Sequence, residues 1–555
     1  MRRGSCRAAA LALLAVAIAN SDAPALTPTS VSAGALALLP VSAPIRGPYL
    51  QRGSPTSMVV RWRTALAGDS RVRYGLDPAA LTLVADVATV TTEHVVTLTG
   101  LAPQTRYYYS VGTSTEVQAG GDADHFLETS PPSGSTGPAR LWVVGDSGTA
   151  NSDARAVKDA YRAYSASDAA DLMLMLGDNA YDSGTDLEYQ AAVFEMYPEI
   201  LRQTVLWPTF GNHDAVSANS STGTGPYYDA FTLPTLGESG GLASGKEAYY
   251  SFDFANQHFI CLDSQGSSRA PGSPMLTWLA NDLLQTTQDW VIAFWHHPPY
   301  SKGSYDSDFE SNLIDMRENA LPILEAGGVD LVLTGHSHSY ERSFLLDGHY
   351  GTSGTLTSAM ILDGGDGRVG GDGAYLKSAP PTDADDGVVY VVAGSSGQAS
   401  GGPLDHPAMF RSLNVLGSLV IDVSGENLDV RFVDDAGALR DVFTIHKGTC
   451  AAAPGEVGDS LGLSTGALGA TAIAWAADPG FSAWNLYRGT RSGGPFAYNH
   501  VCLEPASPDP AATDSQAPPP GSLFYYLVSG RNACGEGSLG PNSAATPRPT
   551  PTPCP

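Results

Sequence analysis

The 555-residue sequence predicts a multi-domain chain in which an α/β core, a sheet covered by helices, lies between two small all-β modules. Three observations predict this. The chain is too long for one ordinary hydrophobic core. Apolar runs alternate with helix-compatible segments across residues 138–447. On either side of that region short alternating strands take over, and the 61 glycines and 39 prolines supply the turns between them.

The elements follow in order. Arg2, Arg3 and Arg7 precede the apolar stretch Ala8–Ala19, which is too short to span a bilayer and ends in the small-x-small triplet Ala17-Ile18-Ala19. Residues 1–19 therefore read as a secretory signal, and no later apolar run is long enough for a membrane span. Residues 20–43 are a linker rich in Ala, Pro, Ser and Thr. An all-β module is expected over 44–130, with strands near Ser57–Thr64, Ser70–Leu76, Glu93–Leu101 and Thr105–Thr113. Pro131–Pro138 links it to the α/β region, where Ser152–Ser165, Glu188–Arg202 and Ser273–Thr286 have helical character. A second β module is expected over 453–546, followed by a Pro/Thr-rich tail at 547–555.

The net charge of −27 argues against a nucleic-acid partner, whose phosphates require a basic surface. Removal of Cys6 with the signal leaves five cysteines, an odd number in a chain whose export permits disulfides. Cys261 lies in an apolar strand and reads as a small buried hydrophobe. Cys502 with Cys534, and Cys450 with Cys554, is the pairing expected of the rest.

The α/β region repeats one design: an apolar run ending in a polar, metal-ligating side chain. Gly145-Asp146 follows the first run. Gly177-Asp178 follows the second, with Tyr181 three residues on. Gly211-Asn212-His213-Asp214 follows the third, His296-His297 closes the fourth, and Gly335-His336-Ser337-His338 follows the fifth. In open α/β sheets, sites form outside the carboxyl ends of strands. Carboxylate, amide oxygen and imidazole suit first-row divalent metals, and a phenolate favours a harder ion such as Fe(III). Acids this close raise each other's pKa unless cations separate them. His336 and His338, two apart, either meet at one centre through a bent loop or serve two adjacent centres. His297, next to His296 in extended backbone, should point away from the ions and support the ligands.

GDSG, GDNAY, GNHD, the histidine of VIAFWHHPPY and GHSHSYER together resemble the calcineurin-like metallophosphoesterases, and specifically the purple acid phosphatases. Thr99–Val111 adds a likeness to the fibronectin type III pattern, and the C-terminal module is similar to it more weakly. The resemblance implies an α/β metallophosphoesterase core, a β-sandwich flanked by helices, between two fibronectin III-like sandwiches. It implies Fe(III) on Asp146, Asp178, Tyr181 and His338. A divalent Zn, Mn or Fe would sit on Asp178, Asn212, His296 and His336, with Asp178 bridging. His213 would contact the phosphate or protonate the leaving group.

The expected activity is that of a secreted acid phosphatase acting on small phosphate monoesters by attack of a metal-bound hydroxide. A phosphodiesterase or nucleotidase of the same superfamily, and a non-catalytic exported binding protein, are the alternatives. One departure stands out. The loop after the fourth run, SKGSYDSDFES, lacks the histidines often found there, and Tyr305 takes their place. Asp214, His297 and Tyr305 are candidates for substrate contact or for support of the ligands. Lys302 reads as a solvated loop lysine.

Overall fold

The computed structural model describes residues 43–165, 169–378, 386–448 and, with short interruptions, 457–554. The signal, nearly all of the 20–43 linker, Cys450 and Cys534 lie outside the described residues. Among the described residues no helix is long and apolar enough to cross a membrane.

Two sheets face each other across the core. Trp207 stacks on Phe252 at 3.7 Å between ring centres, and Tyr340 on Phe432 at 4.1 Å, each pair joining one sheet to the other. In the first sheet the strands Ala139–Val144, Leu172–Met175 and Val205–Pro208 run parallel, with Leu141 opposite Leu172 and Leu172 opposite Val205. In the second, Trp290–Trp295, Leu331–Thr334 and Val388–Ala393 are likewise parallel. All six are buried on both faces, which explains why they read as unbroken apolar runs.

The outer face of the first sheet is covered by the helix Ser152–Tyr164. The Asn151 side chain caps its start, accepting from the amides of Asp153 and Ala154. Its apolar face carries Ala154, Val157 and Tyr161, and Tyr161 stacks on Trp142 at 4.1 Å. The helix expected over Glu188–Arg202 is broken instead. It comprises Asp186–Tyr189, a wider turn over Gln190–Phe194, and Pro198–Leu201, because Pro198 can only begin a helical segment. The third expected helix spans Pro274–Leu283, capped by Ser273.

The N-terminal module is not a free-standing sandwich. Its strand Arg46–Gln51 pairs antiparallel with Ser57–Gly75 and parallel with Val205–Pro208, with Leu50 opposite Val205. The sheet therefore runs from the α/β core into the N-terminal module without a break, to a total of 13 strands. The two strands expected at Ser57–Thr64 and Ser70–Leu76 are one long strand, with irregular register between Arg63 and Ser70. Arg46 and Arg63 both bind Asp186, fixing the module to the segment that follows Tyr181.

Past residue 457 the chain forms two small sheets around Ile473, Trp475, Trp484, Leu486, Tyr526 and Val528. Here the expected disulfides need correction. Cys502 pairs with Cys554, across 52 residues, and so neither Cys502–Cys534 nor Cys450–Cys554 forms. Spacing along the chain does not determine connectivity; the packing of Leu539, Tyr487 and Cys554 into one cluster brings the tail back to Cys502. Cys261 is a buried free thiol.

Candidate metal centre

The five strand ends converge where the carboxyl edges of the two sheets meet. Asp146, Asp178 and His336 each leave their strand with left-handed backbone, at φ +54°, +51° and +65°. This conformation costs a non-glycine residue about 1 kcal/mol or more and is held by hydrogen bonds. The His336 amide donates to Asp146 Oδ2 at 2.7 Å, and the His213 amide to Asp178 Oδ1 at 2.9 Å. The glycines before them permit the close approach. A Cβ on Gly177 would stand 2.5 Å from His296 Nδ1, and one on Gly335 would stand 2.5 Å from Asp146 Oδ2.

Two groups of donor atoms result, and they share one oxygen. In the first, Tyr181 Oη lies 3.1 Å from Asp146 Oδ1, 3.1 Å from Asp178 Oδ2 and 3.3 Å from His338 Nε2. In the second, His296 Nε2 lies 3.4 Å from Asp178 Oδ2, 3.0 Å from Asn212 Oδ1 and 3.2 Å from His336 Nδ1. Donors around a first-row ion at bond lengths near 2.1 Å stand about 3 to 3.5 Å apart, so both groups fit such an ion. The histidine pair is thus split: His336 belongs to one group and His338 to the other.

The electrostatics call for positive charge. Asp146 and Asp178 are both fully buried. Burial alone pushes the Asp178 carboxyl up, but His296, His213 and the His213 amide outweigh it and hold it below the usual carboxylate range. Burial lowers His296, yet Asp178 and Asp146 carry it to about 9. Burial, then Asp146 and Asp178, push the Tyr181 phenol well above its ordinary value. Protonated His296 supplies from within the chain a charge that a cation would bring.

The supporting atoms are specific. His296 Nδ1 meets the Leu176 carbonyl at 2.9 Å, leaving Nε2 for the centre. His336 Nε2 meets Glu310 Oε2 at 3.0 Å, leaving Nδ1. Gln398 and Ser400 contact the two nitrogens of His338. His297 has Nδ1 on Ser264 and Nε2 on Asn312, although its ring packs 4.4 Å from that of His336. With both nitrogens engaged it is a packing support for His336. Asp214 is wholly buried; burial and then Asp178 raise its carboxyl to about 6. It accepts from Tyr189, the Gly211 amide and Asn179, and so holds together the two turns that carry Asp178 and Asn212.

His213 stands at the open side. Its Nδ1 is 2.6 Å from the Asp182 carbonyl, its ring packs on Tyr181 at 4.4 Å, and its Nε2 is 3.9 Å from Asp178 Oδ2. Tyr305 lies flat on His336, 3.9 Å ring to ring. Lys302 turns to Asp308, 3.7 Å away. Sequence reasoning missed Glu310, Gln398 and Ser400. None closes an apolar strand, and no local pattern singles out Glu310 within the loop after the fourth strand.

Comparison with known proteins agrees with this geometry. Residues 46–126 match the family described as Purple acid Phosphatase, N-terminal domain, and residues 139–340 match Calcineurin-like phosphoesterase. Purple acid phosphatase 15 of Arabidopsis thaliana is 28% identical over 275 residues, 45% of this chain and 49% of its own. Probable purple acid phosphatase 20 of the same plant is 32% identical over 251 residues, 44% of this chain and 53% of its own. The human Acid phosphatase type 7 is 27% identical over 335 residues, 55% and 71% respectively. The chain thus spans about half the length of the plant relatives it matches. Among solved structures, purple acid phosphatase PPD1 from yellow lupin (Lupinus luteus) shares the fold with a TM-score of 0.55 at 16% identity, covering 73% of this chain and 75% of that one. PhoD does so with a TM-score of 0.51 at 14% identity, covering 75% and 94%. Residues 46–126 and 139–340 thus place a purple acid phosphatase N-terminal domain directly before a calcineurin-like phosphoesterase domain, and the donor groups stand at the strand ends of the second.

Proposed function

We propose that the protein is an exported binuclear-metal acid phosphatase that hydrolyses phosphate monoesters. One observation carries the reading: two four-donor groups meet at a single oxygen, Asp178 Oδ2, and one of them contains the Tyr181 phenol. Asp146, Asp178, Tyr181 and His338 would hold Fe(III). Asp178, Asn212, His296 and His336 would hold a divalent Zn, Mn or Fe. Bound there, two cations supply Lewis acidity toward phosphoryl oxygens and ionise water at modest pH.

The chain's own residues supply the rest. The Asp182 carbonyl fixes the Nδ1 proton of His213, which leaves Nε2 as the atom that faces a bound phosphate. In the imidazolium form Nε2–H donates to the leaving oxygen as general acid. Asp214 holds Gly211 and Asn179 in place, so that Asn212 and His213 emerge from a fixed turn. Export is supported by the arginine-led apolar N-terminus and by the Cys502–Cys554 bridge, which requires an oxidising compartment.

The phenol separates this reading from a phosphodiesterase of the same superfamily. The test is metal content and visible spectrum of the purified protein, followed by paired assay of phenyl phosphate and diphenyl phosphate across pH. About two metals per chain, visible absorption and preference for the monoester are expected. A colourless iron-loaded protein, or preference for the diester, would reject the proposal.

A further inference from the structure

Beside the centre stand a carboxylate and an aromatic ring and, among the described residues, no cation bound to its ligands. Glu310 places Oε2 on His336 Nε2 at 3.0 Å while its side chain stays 39% exposed. Burial first, and then the charge of Glu310 ahead of those of Asp178 and Asp146, raises the Tyr305 phenol. Tyr305 spans His336 and His338, with ring centres 3.9 and 6.3 Å away. Phe309, next to Glu310 in the chain, is 84% exposed. Across the opening, Asp182 is exposed beside Tyr181, and the remaining neighbours Ser304, Gln398 and Ser400 are neutral.

Among the described residues no lysine or arginine hydrogen-bonds or ion-pairs with any of the eight residues of the centre, His213 included. Lys302 is held by Asp308, and Arg269, behind His297, is held by Asn312 and Asp315. Sites that select polyanions present Arg or Lys to the further phosphates. This one presents a carboxylate and the Tyr305 ring.

We infer that Glu310 is a specificity-determining residue. It turns away esters carrying additional phosphates, so that the site takes phosphate monoesters of uncharged, aromatic alcohols. This rests on the phosphatase reading above and narrows it. The first phosphate is neutralised at the centre. A second or third phosphate on the same substrate would meet the exposed oxygen of Glu310 without a counter-charge, and repulsion between exposed charges weakens with salt.

The test uses the full metal-loaded chain. Values of kcat/KM are compared for phenyl phosphate, ATP and inositol hexakisphosphate at low ionic strength and again near 0.5 M salt. Phenyl phosphate should lead by about tenfold or more at low salt, and the gap should narrow at high salt as screening takes hold. Glu310→Gln, with metal content measured alongside, should narrow the low-salt gap about threefold or more. Binding of phenylphosphonate against tripolyphosphate gives the same comparison without turnover. Polyanions hydrolysed or bound as well as the aryl compound at low salt, or a ratio unmoved by both salt and Glu310→Gln, would overturn the inference. Hydrolysis of no ester together with preferential binding of phenylphosphonate would reject the phosphatase reading while upholding the inference.

Discussion

Tyr181 Oη lies 3.1 Å from Asp178 Oδ2, the oxygen that also faces His296 in the opposite sheet at 3.4 Å. Three residues of sequence thus tie a phenol to the one atom common to both donor groups. Asp178→Asn keeps the shape and removes the charge. Metal content should fall from about two ions per chain to fewer than one, and phosphatase activity by about 10³-fold or more, in line with the loss of a major electrostatic contact. Elemental analysis with two ions retained would exclude a bridging role.

Tyr181→Phe removes the phenol alone. The variant should keep most of its metal, because Asp146, Asp178 and His338 remain, yet lose the visible absorption of the iron-loaded protein. A spectrum unchanged from that of the parent would remove Tyr181 from the ligand set.

Away from the centre, His258 donates to two carboxylates, Asp253 at 2.7 Å and Asp282 at 2.8 Å, beside Ser251 and Gln288. Burial lowers its pKa, but the hydrogen bonds to Asp253 and Asp282 carry it from 6.5 to about 9. Because the folded value is the higher one, the stabilisation is complete below pH 6.5 and is lost as pH rises through 9. The shift corresponds to about 3 kcal/mol. Urea midpoints should fall between pH 6.5 and 9.5, and His258→Gln should flatten that stretch of the curve while lowering its acid side. Parallel curves for parent and variant would contradict the assignment.

The Cys502–Cys554 bridge closes a loop of 52 residues in the C-terminal module. Its removal by Cys554→Ser should destabilise that module by about 4 kcal/mol in the chain-entropy account. Peptide mapping of the non-reduced protein should recover the two cysteines in one cross-linked species. Recovery of Cys502 with Cys534 would refute the pairing.

The strand ends were legible in the sequence because each joins two strong signals. An apolar run buried on both faces is followed at once by a ligand-type side chain, and five repetitions leave little room for coincidence. The spacing of His336 and His338 left one centre and two adjacent centres both open; the resemblance implied the split, and the left-handed backbone at His336 accompanies the separation of the two rings. Glu310 was not legible. It lies in an irregular loop, and its partner His336 is 26 residues away. Disulfide connectivity failed for a related reason: it depends on where a Pro-rich tail packs, which no local pattern records. The helix expected over Glu188–Arg202 failed because Pro198, which can only begin a helical segment, overrides its apolar period. The Pro131–Pro138 linker suggested a clean boundary, whereas the pairing of Leu50 with Val205 comes from a contact 155 residues apart.

That pairing has a consequence for engineering the protein. Val205–Pro208 is the strand whose turn presents Asn212 and His213, and on one side its backbone is paired by Arg46–Gln51. A truncation at the apparent boundary would leave that strand as a raw edge, open to association with other chains and less able to hold its turn. The N-terminal module is better regarded as the missing wall of the catalytic sheet than as an appendage. Shortened versions that keep the catalytic motifs intact should therefore aggregate.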